Sequence, residues 1–399
     1  MNTKDIREEL YTHISGLSVI NTHSHHLADG QFPERMGLDF ILNNSYISWM
    51  AAPPGRDIES RKQYLLANRS NSSYRWLAEG IKAIYGVEIT PENFDRIDGL
   101  IREAHRDRDL HIKLLKDPCR YERVILDKYD NPGSDNGHPE IFAPVFRINA
   151  FVFGYSREAR DHNGNSPYDM LPDQNINTLQ DYLGAMKSVI TEQKRRGAVA
   201  LKNALAYDRP LIIENDSREK AEMAFNNPNP TKEQILDFGD FILFQIATIA
   251  EELELPIQIH TGLGMLDHTR AIGLRKLIET NPGVKFDLFH AGYPWTSDIL
   301  ALLHNYKNVY ADLCWVPLLS TRETIDFIQK VLEIASPHRI LWGCDTWTGE
   351  ESYGALLGVR HALTLALSEM TSDGAMDLEY AKYCARRILH DNAKELFRL

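Results

Sequence analysis

Eight short runs of apolar, β-branched or aromatic residues punctuate the chain: LSVIN (17–21), ERVIL (122–126), APVFRI (143–148), AVALK (198–202), PIQIH (256–260), VKFDLFH (284–290), NVYADL (308–313) and RILWGC (339–344). Each is bounded by turn residues and lacks a polar alternation, the pattern of strands buried on both faces. Long amphipathic segments with recognisable helix ends lie between the later runs. Thr178 stands three residues before Asp181 at the head of one, and Gly197 follows Lys194, Arg195 and Arg196 at its foot, where cations suit the negative end of the helix dipole. Thr231 with Gln234 forms a capping box ahead of ILDFGDFILFQIATIAEEL. The last four strands begin near 256, 284, 308 and 339, and spacings of 28, 24 and 31 residues hold one strand and one returning helix each. Strand and helix alternation predicts a parallel sheet, and eight strands predict closure into a (β/α)8 TIM barrel.

Two stretches exceed the minimal repeat. Residues 27–117 are read as a mostly helical insertion after the first strand, including a helix opened by Thr90-Pro91 and running through NFDRIDGLIREAHRDRDLHIKLL. Residues 204–230, with Tyr207, Asp208, Arg209 and the turn-rich NNPNP, read as a long loop. The expected organisation is one barrel domain over 1–399 with the insertion inside it. Loops that follow barrel strands build the active face, so both excursions are expected to shape a pocket.

Composition narrows the class. The 399 residues are 43% hydrophobic and 25% charged, with a net charge of −12, ordinary for a globular protein. An acidic total disfavours nucleic acid or an anionic membrane surface as partner. No apolar run is long enough to span a bilayer, and the N-terminus MNTKDIREELYTHISG lacks a signal-like stretch, so a cytoplasmic location is expected. Cys119, Cys314, Cys344 and Cys384 are far apart with no CxxC pair, which suits a reducing compartment.

Chemistry gathers at the strand ends. The first strand ends in NTHSH, so His23 and His25 share a face about 6.6 Å apart and can converge on one ion. His26 points the other way and reads as a supporting or loop residue. His260 closes PIQIH, His290 closes VKFDLFH, and Asp345 directly follows RILWGC. Any one of these is unremarkable as a satisfied polar residue. In a parallel barrel, however, all such ends face one mouth. Neutral imidazole and carboxylate suit Zn²⁺, with Mn²⁺ or Fe²⁺ as alternatives, and no cysteine stands at these positions to make a structural thiolate cage. A catalytic ion there would lower the pKa of water towards about 7. Arg147, Lys202 and Arg209 are candidate cations for a carboxylate on the substrate, Arg through its planar fork. Ordinary structural roles stay open for each. Tyr207, Trp315 and Trp347 are candidate pocket residues, with capping of the core as the alternative for the tryptophans.

The set of HxH after strand one, His after strands five and six, and Asp after strand eight resembles the amidohydrolase superfamily of metal-dependent barrels. It is most similar to the amidohydrolase-related (amidohydrolase 2) branch, with its decarboxylases and lactonases. The closing ARRILHDNAKELFRL (385–399) resembles that branch's terminal helix, while the insertion is reminiscent of uronate isomerases. The resemblance implies His23, His25, His260 and Asp345 as ligands of one metal, with Asp345 also taking a proton in catalysis. It implies His290 as a ligand of a second ion or a polariser of substrate or water. Lys202 is implied as a carboxylated bridge between two ions, a substrate cation or a rim lysine. The expected activity is metal-dependent hydrolysis of an amide or lactone in a small, carboxylate-bearing molecule. Non-oxidative decarboxylation and uronate-type sugar isomerisation are the alternatives, and a homo-oligomer is an expectation by analogy.

Overall fold

The computed structural model describes residues 3–32, 36–171 and 175–399. Eight parallel strands lie in one sheet in chain order, forming a nearly closed (β/α)8 barrel with helices around it. They are β1 (Val19–Ser24), β2 (Tyr121–Leu126), β3 (Phe142–Arg147), β4 (Ala200–Asn203), β5 (Ile257–Ile259), β6 (Phe286–Leu288), β7 (Val309–Asp312) and β8 (Ile340–Leu341). All eight coincide with the apolar runs, and several end earlier than the runs do. The sixth stops at Leu288 because His290 and Ala291 take φ of +62° and +49°, which no strand accommodates.

By contacts the chain divides into two compact units, residues 1–126, 136–142 and 313–394 in one, and 127–135, 143–312 and 395–399 in the other. In the first, β1 pairs with β2, and the segment after β8 continues to bond to β1. Thr22 N–H donates to the Trp342 carbonyl, Asp345 N–H to that of His23, and His25 N–H to that of Thr346. Asn392 anchors β8 from the C-terminal side, its side-chain amide donating to the carbonyls of Pro337 (2.6 Å) and Ile340 (2.7 Å). Among the described residues of 27–117 there are five α-helices: Leu38–Asn43, Ile58–Asn68, Ser72–Tyr85, Phe94–Ala104 and Leu110–Lys116. They enclose a satellite core that includes Leu38, Ile41, Leu77, Ile81, Ile97 and Ile101, each no more than 2% exposed. The helical stretch expected after Thr90-Pro91, through residues 93–115, is two helices, Phe94–Ala104 and Leu110–Lys116, and Pro91 lies ahead of the first. Thr90 closes a turn by accepting from Asn93 N–H, and the Asp107 carboxylate captures the Asp109 amide (3.0 Å), competing with the helical ladder between the two helices.

In the second unit the predicted capping box and the predicted helix start at Thr178 are both present, the latter also as a box. Thr178 with Asp181 opens the helix Leu179–Arg195, and Thr231 with Gln234 opens Lys232–Glu252. Gly197 follows at φ +106°, the left-handed position that favours glycine. The 204–230 excursion is mainly loop but carries one short helix, Arg218–Ala224, capped by Ser217. Strands β3 to β7 are in register, so Arg147, Lys202, Gln258, Asp287 and Tyr310 form one row across the sheet.

Candidate metal centre and its surroundings

The period of two along β1 places His23 and His25 on one face, with ring centroids 4.7 Å apart and edge to face. The return of the chain after β8 brings Asp345 to them. Gly343 makes this approach possible, since a Cβ there would lie 2.7 Å from the His23 backbone nitrogen. Asp345 itself takes φ +60°, turning its side chain so that Oδ1 lies 3.4 Å from His23 Nε2 and 3.2 Å from His25 Nε2. Burial would raise the Asp345 carboxyl, but the two imidazoles outweigh it and hold it well below the ordinary carboxylate range. Two ring nitrogens converging on one carboxylate oxygen is a donor set that fits a divalent transition ion. His26 turns away from this group. Its ring packs against His111 (4.9 Å) and Phe142 (5.7 Å), and burial pushes it down to about 3.

Above His25 runs a series of aromatic rings. Trp347 stacks on His25 at 5.7 Å, Tyr46 lies 5.1 Å from Trp347 and stacks on Trp315 at 4.2 Å, and Trp49 meets both Tyr46 and Trp315 edge-on. Tyr46 and Trp49 come from the insertion. Trp315 is buried inside the series, while Trp49 is 60% exposed. The Glu351 carboxylate fixes the arrangement by accepting from the backbone N–H groups of Tyr46 (3.1 Å) and Trp347 (3.4 Å), and burial pushes its pKa up to about 8.

In the second unit His260 and His290 form their own pair. His260 Nδ1 and His290 Nε2 share a hydrogen bond of 3.0 Å, and the Tyr207 ring stands 4.7 Å from that of His260. Lys202 is 2% exposed, with Nζ 3.5 Å from the centroid of the Phe289 ring, a cation over a π face. It is close enough to Asp287 to favour that residue's charged form. Burial and the Asp312 carboxylate win, however, and push Asp287 well above the ordinary range, with Gln258 Nε2 donating to it at 3.1 Å.

The two arginines do not have free forks. Arg147 donates from Nε (3.2 Å) and Nη2 (2.5 Å) to the fully buried Asp127. Arg209 pairs with buried Asp240, which also accepts from the backbone of Glu214 and Asn215 and so ties the 204–230 loop to the helix Lys232–Glu252. A buried carboxylate needs such a partner, and each guanidinium supplies it. Sequence reasoning also passed over Cys314. A donor atom each from His23, Cys314 and Asp345 all lie within 4.8 Å of one another. The signal was its place two residues beyond β7, obscured by looking for paired cysteines.

Residues 225–399 match the amidohydrolase family model, a span that holds His260, His290 and Asp345. Protein fluG of Emericella nidulans is 28% identical over 203 residues, 48% of this chain, and the match spans only 23% of that protein's length. Uronate isomerase of Thermotoga maritima superposes with a TM-score of 0.75 at 16% identity, covering 98% of this chain and 97% of its own. Glucuronate isomerase of Caulobacter crescentus gives 0.75 at 17%, covering 99% and 94%. A Lactobacillus casei protein provisionally assigned as a metal-dependent hydrolase gives 0.70 at 16%, covering 98% and 97%. At these identities the structural likeness speaks for the fold. Over residues 225–399 the chain is thus similar to the amidohydrolase family, and the whole of it folds as a (β/α)8 barrel.

Proposed function

We propose that the protein is a metal-dependent hydrolase that cleaves a C–N or C–O bond, amide or lactone, in a small carboxylate-bearing molecule. The observation that carries this reading is the convergence of His23, His25 and Asp345, from the ends of β1 and β8, on one point. Zinc is the proposed ion, with manganese or iron as alternatives, and when bound it supplies Lewis acidity to the scissile carbonyl. His23 and His25 hold it through Nε2. Asp345 takes the proton of the attacking water and returns it to the leaving group. His260 and His290, hydrogen-bonded to each other, polarise the substrate and steady charge as it develops. Lys202 acts as the cation for the substrate carboxylate, since Arg147 and Arg209 are committed elsewhere. It serves as an ammonium rather than a carboxylated bridge, because it already faces the Phe289 ring, and this favours one ion per chain. The four buried, unbridged cysteines support the cytoplasm as its compartment.

Isomerisation of a uronate is the second reading, favoured by the insertion that brings Tyr46 and Trp49 to the rings beside His25. The test is a screen of zinc-, manganese- and iron-loaded protein against amides, lactones, aromatic and enoic carboxylates, and uronates, with product mass as readout. Gain of one water supports hydrolysis. Loss of carbon dioxide, or an isomer of unchanged mass, replaces hydrolysis with the corresponding activity. Failure of the reconstituted protein to retain any metal overturns the metal-dependent reading altogether.

A further inference from the structure

Cys314 lies just beyond β7, fully buried and without a disulfide partner. Its backbone is held on both sides, Leu313 N–H donating to the Leu341 carbonyl and Trp315 N–H to that of Gly343. Trp315 then takes φ +66° and ends the extended run. This local geometry places Sγ in the group of donors, all within 4.8 Å of one another, that also contains a His23 ring nitrogen and an Asp345 carboxylate oxygen. Three separate segments supply the three atoms. In a tetrahedral site with bonds of about 2.0–2.3 Å, neighbouring donors are about 3.3–3.8 Å apart, so these three atoms lie within about 1–1.5 Å of that spacing.

We propose that Cys314 is a thiolate ligand of the metal centre, completing a set of His23, His25, Asp345 and Cys314. This rests on the reading that the histidines and Asp345 hold a divalent ion. As the sulfur-to-metal bond forms, the S–H bond breaks and its proton leaves to solvent, so loading releases one proton from this residue. The chemical consequence is selectivity. A soft thiolate favours Zn²⁺ over Mn²⁺ or Mg²⁺, which prefer oxygen donors, and so decides between ions that imidazole and carboxylate alone leave open. Cys344 provides the internal control. It is the neighbour of Asp345, but its Sγ is surrounded by Ser24 (2.8 Å), Asn21 (2.9 Å), Thr346 (3.0 Å) and Ser352 (3.0 Å).

Stripped protein loaded with Co²⁺ tests the assignment by its absorption spectrum. The expected result is a near-ultraviolet thiolate charge-transfer band in the parent and in Cys344→Ser. In Cys314→Ser that band is lost while the visible Co²⁺ bands remain, and competition between Zn²⁺ and Mn²⁺ shifts towards Mn²⁺. Visible bands in the parent without charge transfer overturn the thiolate while leaving the histidine and aspartate site standing. No bound Co²⁺ in the parent overturns both. A charge-transfer band that survives in Cys314→Ser overturns the assignment to this residue. X-ray absorption of the zinc-loaded parent decides the question without any variant: one sulfur neighbour at about 2.3 Å supports the proposal, and a shell of nitrogen and oxygen alone refutes it.

Discussion

Replacing Gly354 with alanine and replacing Gly184 with alanine are the same chemical change in two helix interiors, and the structure predicts opposite signs. Gly354 lies in the helix Gly349–Ser372, where the insertion helix Ser72–Tyr85 crosses it backbone to backbone. A Cβ at 354 would sit 2.4 Å from the Trp76 carbonyl oxygen, 2.8 Å from its carbon and 3.1 Å from Leu77 Cα. The facing Gly80 is equally tight, with its own added Cβ 2.8 Å from the Gly354 nitrogen. No flexible side chain can give way, so the helices must part by several tenths of an ångström. Overpacking of this kind costs about 1–3 kcal/mol, and contact with backbone puts it at the upper end. Alanine's better helix propensity returns about 1 kcal/mol, leaving a net loss of about 2 kcal/mol. Gly184, in the helix Leu179–Arg195, has nothing within 4 Å of the added Cβ, so only the propensity gain applies and stability rises by about 0.5–1 kcal/mol. Thermal and urea unfolding of the two variants beside the parent, followed by circular dichroism, measure this directly. A Gly354→Ala protein that melts at or above the parent temperature would refute the argument that these helices meet through their glycines.

Other perturbations test the site and its surroundings. His23→Ala combined with His25→Ala should abolish metal retention, measured by elemental analysis, whereas His26→Ala should keep it; a double variant that retains its metal would place the ion elsewhere. Asp345→Asn should cut turnover by about 10² or more with the fold intact, the scale of a lost general base, and near-normal kcat would remove its proton-transfer role. Arg209→Ala should lower stability by about 3–5 kcal/mol, because it leaves buried Asp240 unpaired; a change confined to KM would return Arg209 to the substrate site. Acid should destabilise the fold through His26, held at about 3, and His111, held well below its usual value, both by burial. Below about pH 6.5 the unfolded chain takes up protons that the folded chain refuses, so stability is complete above that pH and falls beneath it, at up to about 1.4 kcal/mol per pH unit for each histidine. Urea midpoints that stay flat between pH 7 and pH 5 would show that these rings do not stay neutral.

What the sequence determined by itself was whatever short-range pattern encodes. Eight apolar runs marked the eight strands, Thr178 and Thr231 marked two helix starts, and a spacing of two put His23 and His25 on one face. These features depend on neighbours within a few residues, so the chain order displays them. Tertiary structure alone decided who meets whom. Arg147 and Arg209 look like free cations in a line of letters, yet each is taken by a carboxylate 20 or 31 residues away because a buried charge must be paired. Asp345 reaches His23 only because Gly343 lets two backbones touch and a left-handed φ turns its side chain. Cys314 meets the same group because its neighbours Leu313 and Trp315 bond to the carbonyls of Leu341 and Gly343, a pairing that no local spacing records.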